Sequence, residues 1–558
     1  MGSVSSFLHS KTPKEVISSR QVQTKYGVVQ GRRIVDEMDL QVDAFLGIPF
    51  ARPPTGERRF KRPEPPEPWQ GVLEATKFGP RAPQVDFFWE RWSLGVGKSE
   101  DCLRLNVFSP AWEPGEDQPN GFAVMVFIHG GAFLIDSAVK YGDVGICSNL
   151  CLHDVIVVTI QYRLGYLGFY TTGDSNCLGN LALWDQTAAL KWVKDNIAAF
   201  SGDPDRITVF GQSAGGVSVD LLSLSPESRD LFQQVIPMGG NAECAWAITD
   251  KQHIVNVCQK FARKLGWNGT VTDPEKQEQL LHFLRKKQPR LFERGLLGKN
   301  GVNFNKIGLE LAPYVDGEFL PKPISQLRKE APKKRCLVGT CEYEGLLFAS
   351  LGSHHFNLEG IEKLLRTAIP NNKYRSAKEL RQKAQEMYLQ GVDKNDKSAV
   401  TRVYTKLYSD LFVNNGTYSY VKSMCKAGHT VYLYSFDYFN PKSFGLLSFR
   451  LPFKAATHCT EMTYLFGQSI VFPFKLNAQD KLVLGMMTKM WTNFAKYGDP
   501  NGIQGFPGPT WKPATEEHYD LHLSISLRSR MRNGYEGKRG EFWEWVRNTC
   551  LKRESSDS

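Results

Sequence analysis

The pentapeptide Gly211-Gln212-Ser213-Ala214-Gly215 has the spacing G-x-S-x-G, which suits a nucleophilic serine. Ile207, Thr208, Val209 and Phe210 precede it and read as a buried strand. Val217, Val219, Leu221, Leu222 and Leu224 follow it and read as a buried helix. A strand that turns sharply into a helix strains the serine backbone. A side chain at either flanking position would clash, so glycine is needed at 211 and 215. The hydroxyl of Ser213 then stands above the sheet, beside the amide of Ala214 and the helix N-terminus.

A serine that attacks a carbonyl carbon creates an oxyanion, which needs fixed donors about 2.7–3.1 Å away. The apolar run Phe122–Ile128 ends in His129-Gly130-Gly131-Ala132-Phe133. On such a loop, backbone amides can approach a substrate closely. The candidate oxyanion hole is therefore Gly131, Ala132 and Ala214. The hydroxyl also needs a base, and a histidine with an ordinary pKa near 6.5 fits, held in one tautomer by a carboxylate. Residue chemistry alone does not choose among 58 acidic residues and 11 histidines.

The elements that must position these groups alternate between strand and helix. Tyr26–Pro54 reads as strand, turn, strand, and Glu100–Phe108 as acidic residues followed by an alternating strand. Phe122–Ile128 and Val155–Tyr162 read as strands buried on both faces. Ala188–Ala199 reads as an amphipathic helix with Leu190, Val193 and Ile197 on one face, and Asp203-Pro204-Asp205 as the turn into the serine strand. This alternation predicts a mainly parallel α/β sheet with the site at the carboxyl ends of its strands. Segments near 250–265, 274–288 and 375–410 read as helices laid over the sheet, a lid or pocket-forming insert rather than a second domain.

Taken together, the chain resembles the type-B carboxylesterase and cholinesterase family of α/β hydrolases. The resemblance is carried by Phe45–Pro54, Glu100-Asp101-Cys102-Leu103-Arg104-Leu105-Asn106, His129–Phe133 and Asn180-Leu181-Ala182-Leu183-Trp184-Asp185-Gln186. Trp192–Ile197, Gly202-Asp203-Pro204 and Gly211–Gly216 also carry it. It runs from about Tyr26 to Trp543 and looks most like nematode-type intracellular members. The family implies the α/β-hydrolase fold, with a central, mostly parallel twisted sheet flanked by helices and helical insertions over the site. It also implies the chain order Ser, acid, His. Glu344, in Thr340-Cys341-Glu342-Tyr343-Glu344-Gly345, matches the family's acid step, with Glu342 as the fallback. His458, in Ala456-Thr457-His458-Cys459-Thr460-Glu461, matches its histidine. The implied triad is Ser213, Glu344 and His458.

Three departures stand out. Ala132 replaces the third glycine of the oxyanion loop, keeping the amide but adding a methyl. The family's first disulfide pairs the cysteine at Cys102 with one near residue 82, where Ala82 stands. Its second has no counterpart, and Trp267 and Phe283 fall near those places. Trp92 lies about where cholinesterases carry a choline-binding tryptophan, a contact of cation–π type.

The expected function is a serine carboxylic ester hydrolase working through an acyl-enzyme on Ser213, with rate rising as His458 loses its proton. Its partner would be a small-molecule ester, with no cofactor and no metal. One alternative is an acyltransferase on the same triad. Another is a non-catalytic, neuroligin-like binding module, which the presence of all three triad residues disfavours. The net charge is +11, but the basic residues are dispersed. Arg285-Lys286-Lys287 and Lys333-Lys334-Arg335 read as solvated loops and helix faces, which disfavours nucleic acid.

Eleven cysteines without metal-site spacing suit free thiols in a reducing compartment. No signal-peptide run or 18-residue apolar window is evident, so a cytoplasmic, non-secreted protein is expected, in which the sequons at Asn268 and Asn415 are inert. Met1-Gly2-Ser3-Val4-Ser5-Ser6 fits the myristoylation pattern, making Gly2 a lipidation candidate, with an ordinary tail as the other reading. One acyl chain, with Lys11, Lys14, Arg20 and Lys25 against Glu15, would give weak membrane association through the N-terminus. The organisation expected is a flexible tail over 1–22, one domain over 23–548 and a polar tail over 549–558.

Overall fold

The computed structural model describes residues 17–551, except 36–38, 88–89, 91–93, 270–273, 299–300, 353–354, 470–472, 504 and 506–507. Gly2 and Trp92 lie outside the described residues.

The apolar runs form the centre of one sheet. Its strands are β1 (Ser18–Thr24), β2 (Gly27–Val35), β3 (Gln41–Pro49), β4 (Val72–Glu74), β5 (Arg104–Pro110), β6 (Phe122–Ile128) and β7 (Val155–Ile160). They continue as β8 (Gly202–Gln212), β9 (Gln234–Met238), β10 (Arg335–Cys341), β11 (Thr430–Phe436), β12 (His522–Ile525) and β13 (Arg530–Arg532). Their order across the sheet is β1-β2-β3-β5-β7-β6-β8-β9-β10-β11-β12-β13, with β4 beside β2. From β7 to β12 every neighbouring pair is parallel. The flanks are antiparallel, apart from the parallel pair of β2 with β4.

β6 shows why a central strand is continuously apolar. Val124, Val126 and Ile128 enter one core, and Ala123, Met125 and Phe127 the core on the opposite face. Side chains alternate across a strand, so a strand covered on both sides needs apolar residues at every position. Helices α1 (Leu181–Asn196), α2 (Ala214–Leu224), α3 (Lys251–Lys264), α4 (Pro274–Arg285), α5 (Leu358–Ala368), α6 (Ala377–Leu389) and α7 (Lys397–Ser409) surround the sheet. They are joined by α8 (Asn415–Lys426), α9 (Ala478–Tyr497) and α10 (Gly537–Thr549). Residues of α5, α6, α7 and α10 share a separate apolar cluster. Helices α5, α6 and α7 therefore share a small core with α10, whereas α3 and α4 pack into a main core of the sheet.

Several expectations are corrected. α1 starts at Leu181 rather than Ala188. Leu181 to Gln186 are all buried, so the amphipathic period is missing where the helix begins. Asp203-Pro204-Asp205 lies within β8 rather than in a turn: Phe122 pairs with Gly202, and a register shift absorbs the extra residues. The 375–410 segment is two helices, α6 and α7. The folded chain begins earlier than 23, because β1 pairs with β2 from Ser18. At the other end, Cys550 is buried and Leu551 bridges to Tyr374, so 549–551 is not a free tail. Lys334 is buried rather than solvated.

All eleven cysteines are free thiols. Ala82 and Cys102 are both buried in one core, and the rings of Trp267 and Phe283 pack 5.5 Å apart. That ring pair joins the two positions near which the family's second bridge would fall. Among the described residues, no helix is long and apolar enough to cross a membrane. Asn268 is exposed, whereas Asn415 is buried within α8.

Candidate active site

Sheet register brings the expected groups to one edge. Ile128 pairs with Gly211, Gln212 with Met238, and Met238 with Gly339. The loops leaving β6, β8, β9 and β10 therefore emerge side by side.

Ser213 has φ 60° and ψ −124°, a region that costs a non-glycine residue on the order of 1–3 kcal/mol. Its neighbours show what holds it there. A Cβ at Gly215 would lie 2.1 Å from the Ile128 carbonyl oxygen, and one at Gly211 would lie 2.6 Å from the Gly215 carbonyl carbon. The glycine requirement read from the motif is thus a matter of backbone contact with β6. The Ser213 amide donates to Met238 O at 2.8 Å, tying the turn to β9.

The glycine loop after β6 is oriented by its carbonyls. Tyr162 Oη donates to His129 O at 2.8 Å and lies 3.4 Å from Gly130 O. Gly131 O accepts from the amides of Leu134 and Ile135, at 3.0 and 3.1 Å. In a trans peptide the N–H points opposite to the preceding carbonyl, so the amides of Gly131 and Ala132 turn away from these contacts. Among the described residues, no acceptor engages the amides of Gly131, Ala132 or Ala214. Gly131, Ala132 and Ser213 line one cavity.

Glu344 and His458 meet beside it. His458 Nδ1 lies 2.5 Å from Glu344 Oε2, with both side chains fully buried. Glu344 Oε1 accepts from the Cys341 amide at 2.7 Å, which fixes the carboxylate plane. Phe348 and Phe412 pack on the imidazole at ring separations of 5.0 and 5.6 Å. Glu342, the fallback acid, lines a different cavity with Asp437 and Lys406.

One expected contact is replaced. Among the described residues, no hydrogen bond joins Ser213 Oγ to His458. Instead, Gln212 Nε2 lies 3.3 Å from His458 Nε2. The Cys459 thiol donates to Gln212 Oε1 at 3.0 Å, which turns the amide nitrogen toward the ring. With Nδ1–H directed at Glu344, Nε2 is the acceptor. It is placed to accept from Gln212 Nε2.

Three residues of the site had no assigned role in the sequence. Gln212 was the variable position of the motif. Phe412 sits in a π-helical turn, Asp410–Asn414, between α7 and α8, and no local pattern marks such a turn. Glu461, three residues after His458, is fully buried and accepts from the Cys341 thiol at 2.9 Å. Burial, and then the charge of Glu344, push its carboxyl up to about 7. An unfolded glutamate ionises near 4.3, so the folded state holds this proton more tightly. Stability falls as pH rises from about 4 to 7, a cost on the order of 3 kcal/mol that Gln cannot incur. Thermal unfolding of Glu461→Gln at pH 5 and pH 8 should show the variant gaining a few degrees on wild type at the higher pH. An unchanged gap would refute it.

The cavity holds about 290 Å³, and Trp246, Phe304, Phe348, Leu309, Phe412 and Leu447 make it largely apolar. Lys306 and Arg450 stand exposed where it opens. Two buried ion pairs act as clamps: Asp185 receives Arg163 at 2.7 and 2.8 Å, and Glu100 receives Arg59. Both pairs are buried, where an unpaired charge would be severely destabilising.

The sequence model of the Carboxylesterase family matches residues 18–543. Esterase cest-33 of Caenorhabditis elegans is 38% identical over 544 residues, covering 97% of this chain and 96% of that protein. Juvenile hormone esterase of Tribolium castaneum is 34% identical, covering 87% of this chain and 84% of its own. The medium-chain fatty acyl-CoA hydrolase precursor of Anas platyrhynchos is 30% identical, covering 94% and 91%.

Proposed function

We propose, for a chain that belongs to the carboxylesterase family and is a carboxylic ester hydrolase, that hydrolysis proceeds through an acyl-enzyme on Ser213. The observation that carries this is the opening of a strained serine, a carboxylate-held histidine and loop amides that have no acceptor among the described residues into one apolar cavity.

The ester carbonyl carbon is attacked by Ser213 Oγ while His458 Nε2 accepts the hydroxyl proton. The resulting oxyanion is received by the amides of Gly131, Ala132 and Ala214. Glu344 stabilises the imidazolium without taking its proton. The tetrahedral species collapses as His458 protonates the leaving alcohol. Water, deprotonated by His458, then repeats the sequence on the acyl group and frees Ser213. The apolar lining favours an ester with a hydrophobic acyl or alcohol part. An alcohol or amine held in that cavity ahead of water would receive the acyl group instead. Product analysis with an added acceptor separates transfer from hydrolysis.

The test is a fluorophosphonate adduct mapped by peptide mass spectrometry. One rapid adduct on Ser213, slowed at least about a hundredfold in His458→Ala, is expected. Labelling of another residue, or equal rates in the two proteins, would refute the assignment.

A further inference from the structure

A second cavity, of about 480 Å³, opens at the opposite end of the sheet. It is lined by Arg206, Lys333, Lys334, Arg335, His429 and Lys496, and no carboxylate is among its lining residues. Gln234 and Arg335 begin β9 and β10, and Lys496 lies in the last turn of α9. Six residue steps of about 3.3 Å separate Arg335 from Cys341, placing this cavity about 20 Å from the ester site.

Local structure accounts for some of these cations. Lys334 Nζ donates to the carbonyls of Arg229, at 2.7 Å, and Phe232. Arg335 donates to Tyr497 O at 2.6 Å, and Arg206 pairs with Asp203 at 3.4 Å. It does not account for the others. Among the described residues, Lys333 is exposed and has no ion-pair partner, and Lys496, also without an ion pair, lies over the Tyr497 ring at 5.3 Å. Asp117, Asp154 and Asp230 lie close enough to favour the charged amines but pair with neither Lys334 nor Lys496. Burial pushes both of those amines down, Lys334 to about 8.

Gln234 also lines this cavity, with its carboxamide turned into the protein. Gln234 is 5% exposed, and its Nε2 donates to Thr208 Oγ1 and Ala495 O at 3.1 and 2.9 Å. Its Oε1 is buried and has no partner among the described residues. The pocket thus offers several cations and no carboxylate. A carboxylate ligand would bring them a single charge. A phosphate monoester or diphosphate brings two or more, with anionic oxygens for lysine and the arginine fork.

We propose that this pocket binds a phosphorylated ligand, held by Lys333, Arg335 and Lys496. The same chemistry comes from a free phosphorylated compound or from a phosphoinositide headgroup.

Titration calorimetry of the full chain with inorganic pyrophosphate, at fixed ionic strength, tests it. Wild type should show one saturable site. The double variant Lys333→Ala, Lys496→Ala should bind about tenfold more weakly or worse, and Lys191→Ala, an exposed change on α1, should bind as wild type does. All three should hydrolyse 4-nitrophenyl acetate alike, which shows that the variants fold. Flotation with phosphatidylcholine vesicles containing a phosphatidylinositol phosphate identifies the source. Pyrophosphate-sensitive flotation names the headgroup, and pyrophosphate binding without flotation names a free compound. Absence of saturable binding by wild type, or equal binding by the double variant, would overturn the proposal.

Discussion

Ser213→Ala is expected to lower kcat toward an activated ester by about 10⁵-fold or more while leaving the protein folded. The substitution removes one oxygen from a 7% exposed side chain whose hydroxyl has no hydrogen-bond partner among the described residues. Little native interaction is therefore lost. The backbone at φ 60° is set by β6 and β9 through Gly211, Gly215 and the Ser213 amide, all of which the variant keeps. What disappears is the atom that, in the proposed mechanism, forms the acyl bond. Any residual rate comes from water attacking an ester held by the amides of Gly131, Ala132 and Ala214, the kind of background that survives triad removal elsewhere. A stopped-flow trace should lose its alcohol burst, and the thermal midpoint should stay within a few degrees of wild type. A variant that kept more than about one per cent of kcat would place the nucleophile elsewhere.

Glu344→Gln should cost about 10⁴-fold in kcat, although it preserves the shape of the side chain. The argument rests on the second oxygen. Glu344 Oε1 accepts from the Cys341 amide at 2.7 Å, and only a carbonyl-type oxygen can fill that role. The glutamine must place its oxygen there, so its NH₂ faces His458 Nδ1. The imidazole then carries its proton on Nε2 and has no lone pair for the Ser213 proton. Glu342→Gln is the matched control. That side chain lines the separate cavity with Asp437 and Lys406, and its variant should stay within a few-fold of wild type. Comparable losses in the two variants would mean that Glu344 acts through general electrostatics rather than through the tautomer. Nitrogen NMR of His458 would show the tautomer directly.

Much of this architecture could be read from the chain. Phe122–Ile128 gave a strand with matching ends, since a run that apolar can only sit at the centre of a covered sheet. Family membership and the α/β sheet followed from motifs spread along the chain. Reading failed where burial erased periodicity, as in the first turns of α1, where Leu181 to Gln186 are all covered. It failed again where charge was taken for exposure. Lys334 is 7% exposed because two backbone carbonyls hold its ammonium inside the fold.

The sequence by itself determined the turn at Ser213. Its geometry depends on residues within one short segment, and steric exclusion at Gly211 and Gly215 leaves that segment few alternatives. Only the tertiary structure decided what surrounds the histidine. Gln212 and His458 are 246 residues apart, and His458 and Glu344 are separated by 114. Phe412 reaches the imidazole from a π-turn between two helices, and Glu461 gains its raised carboxyl from burial next to Glu344. Hydrogen bonds and electrostatic coupling fall off within a few ångströms, so these relations exist only once the sheet register has brought distant segments to one edge.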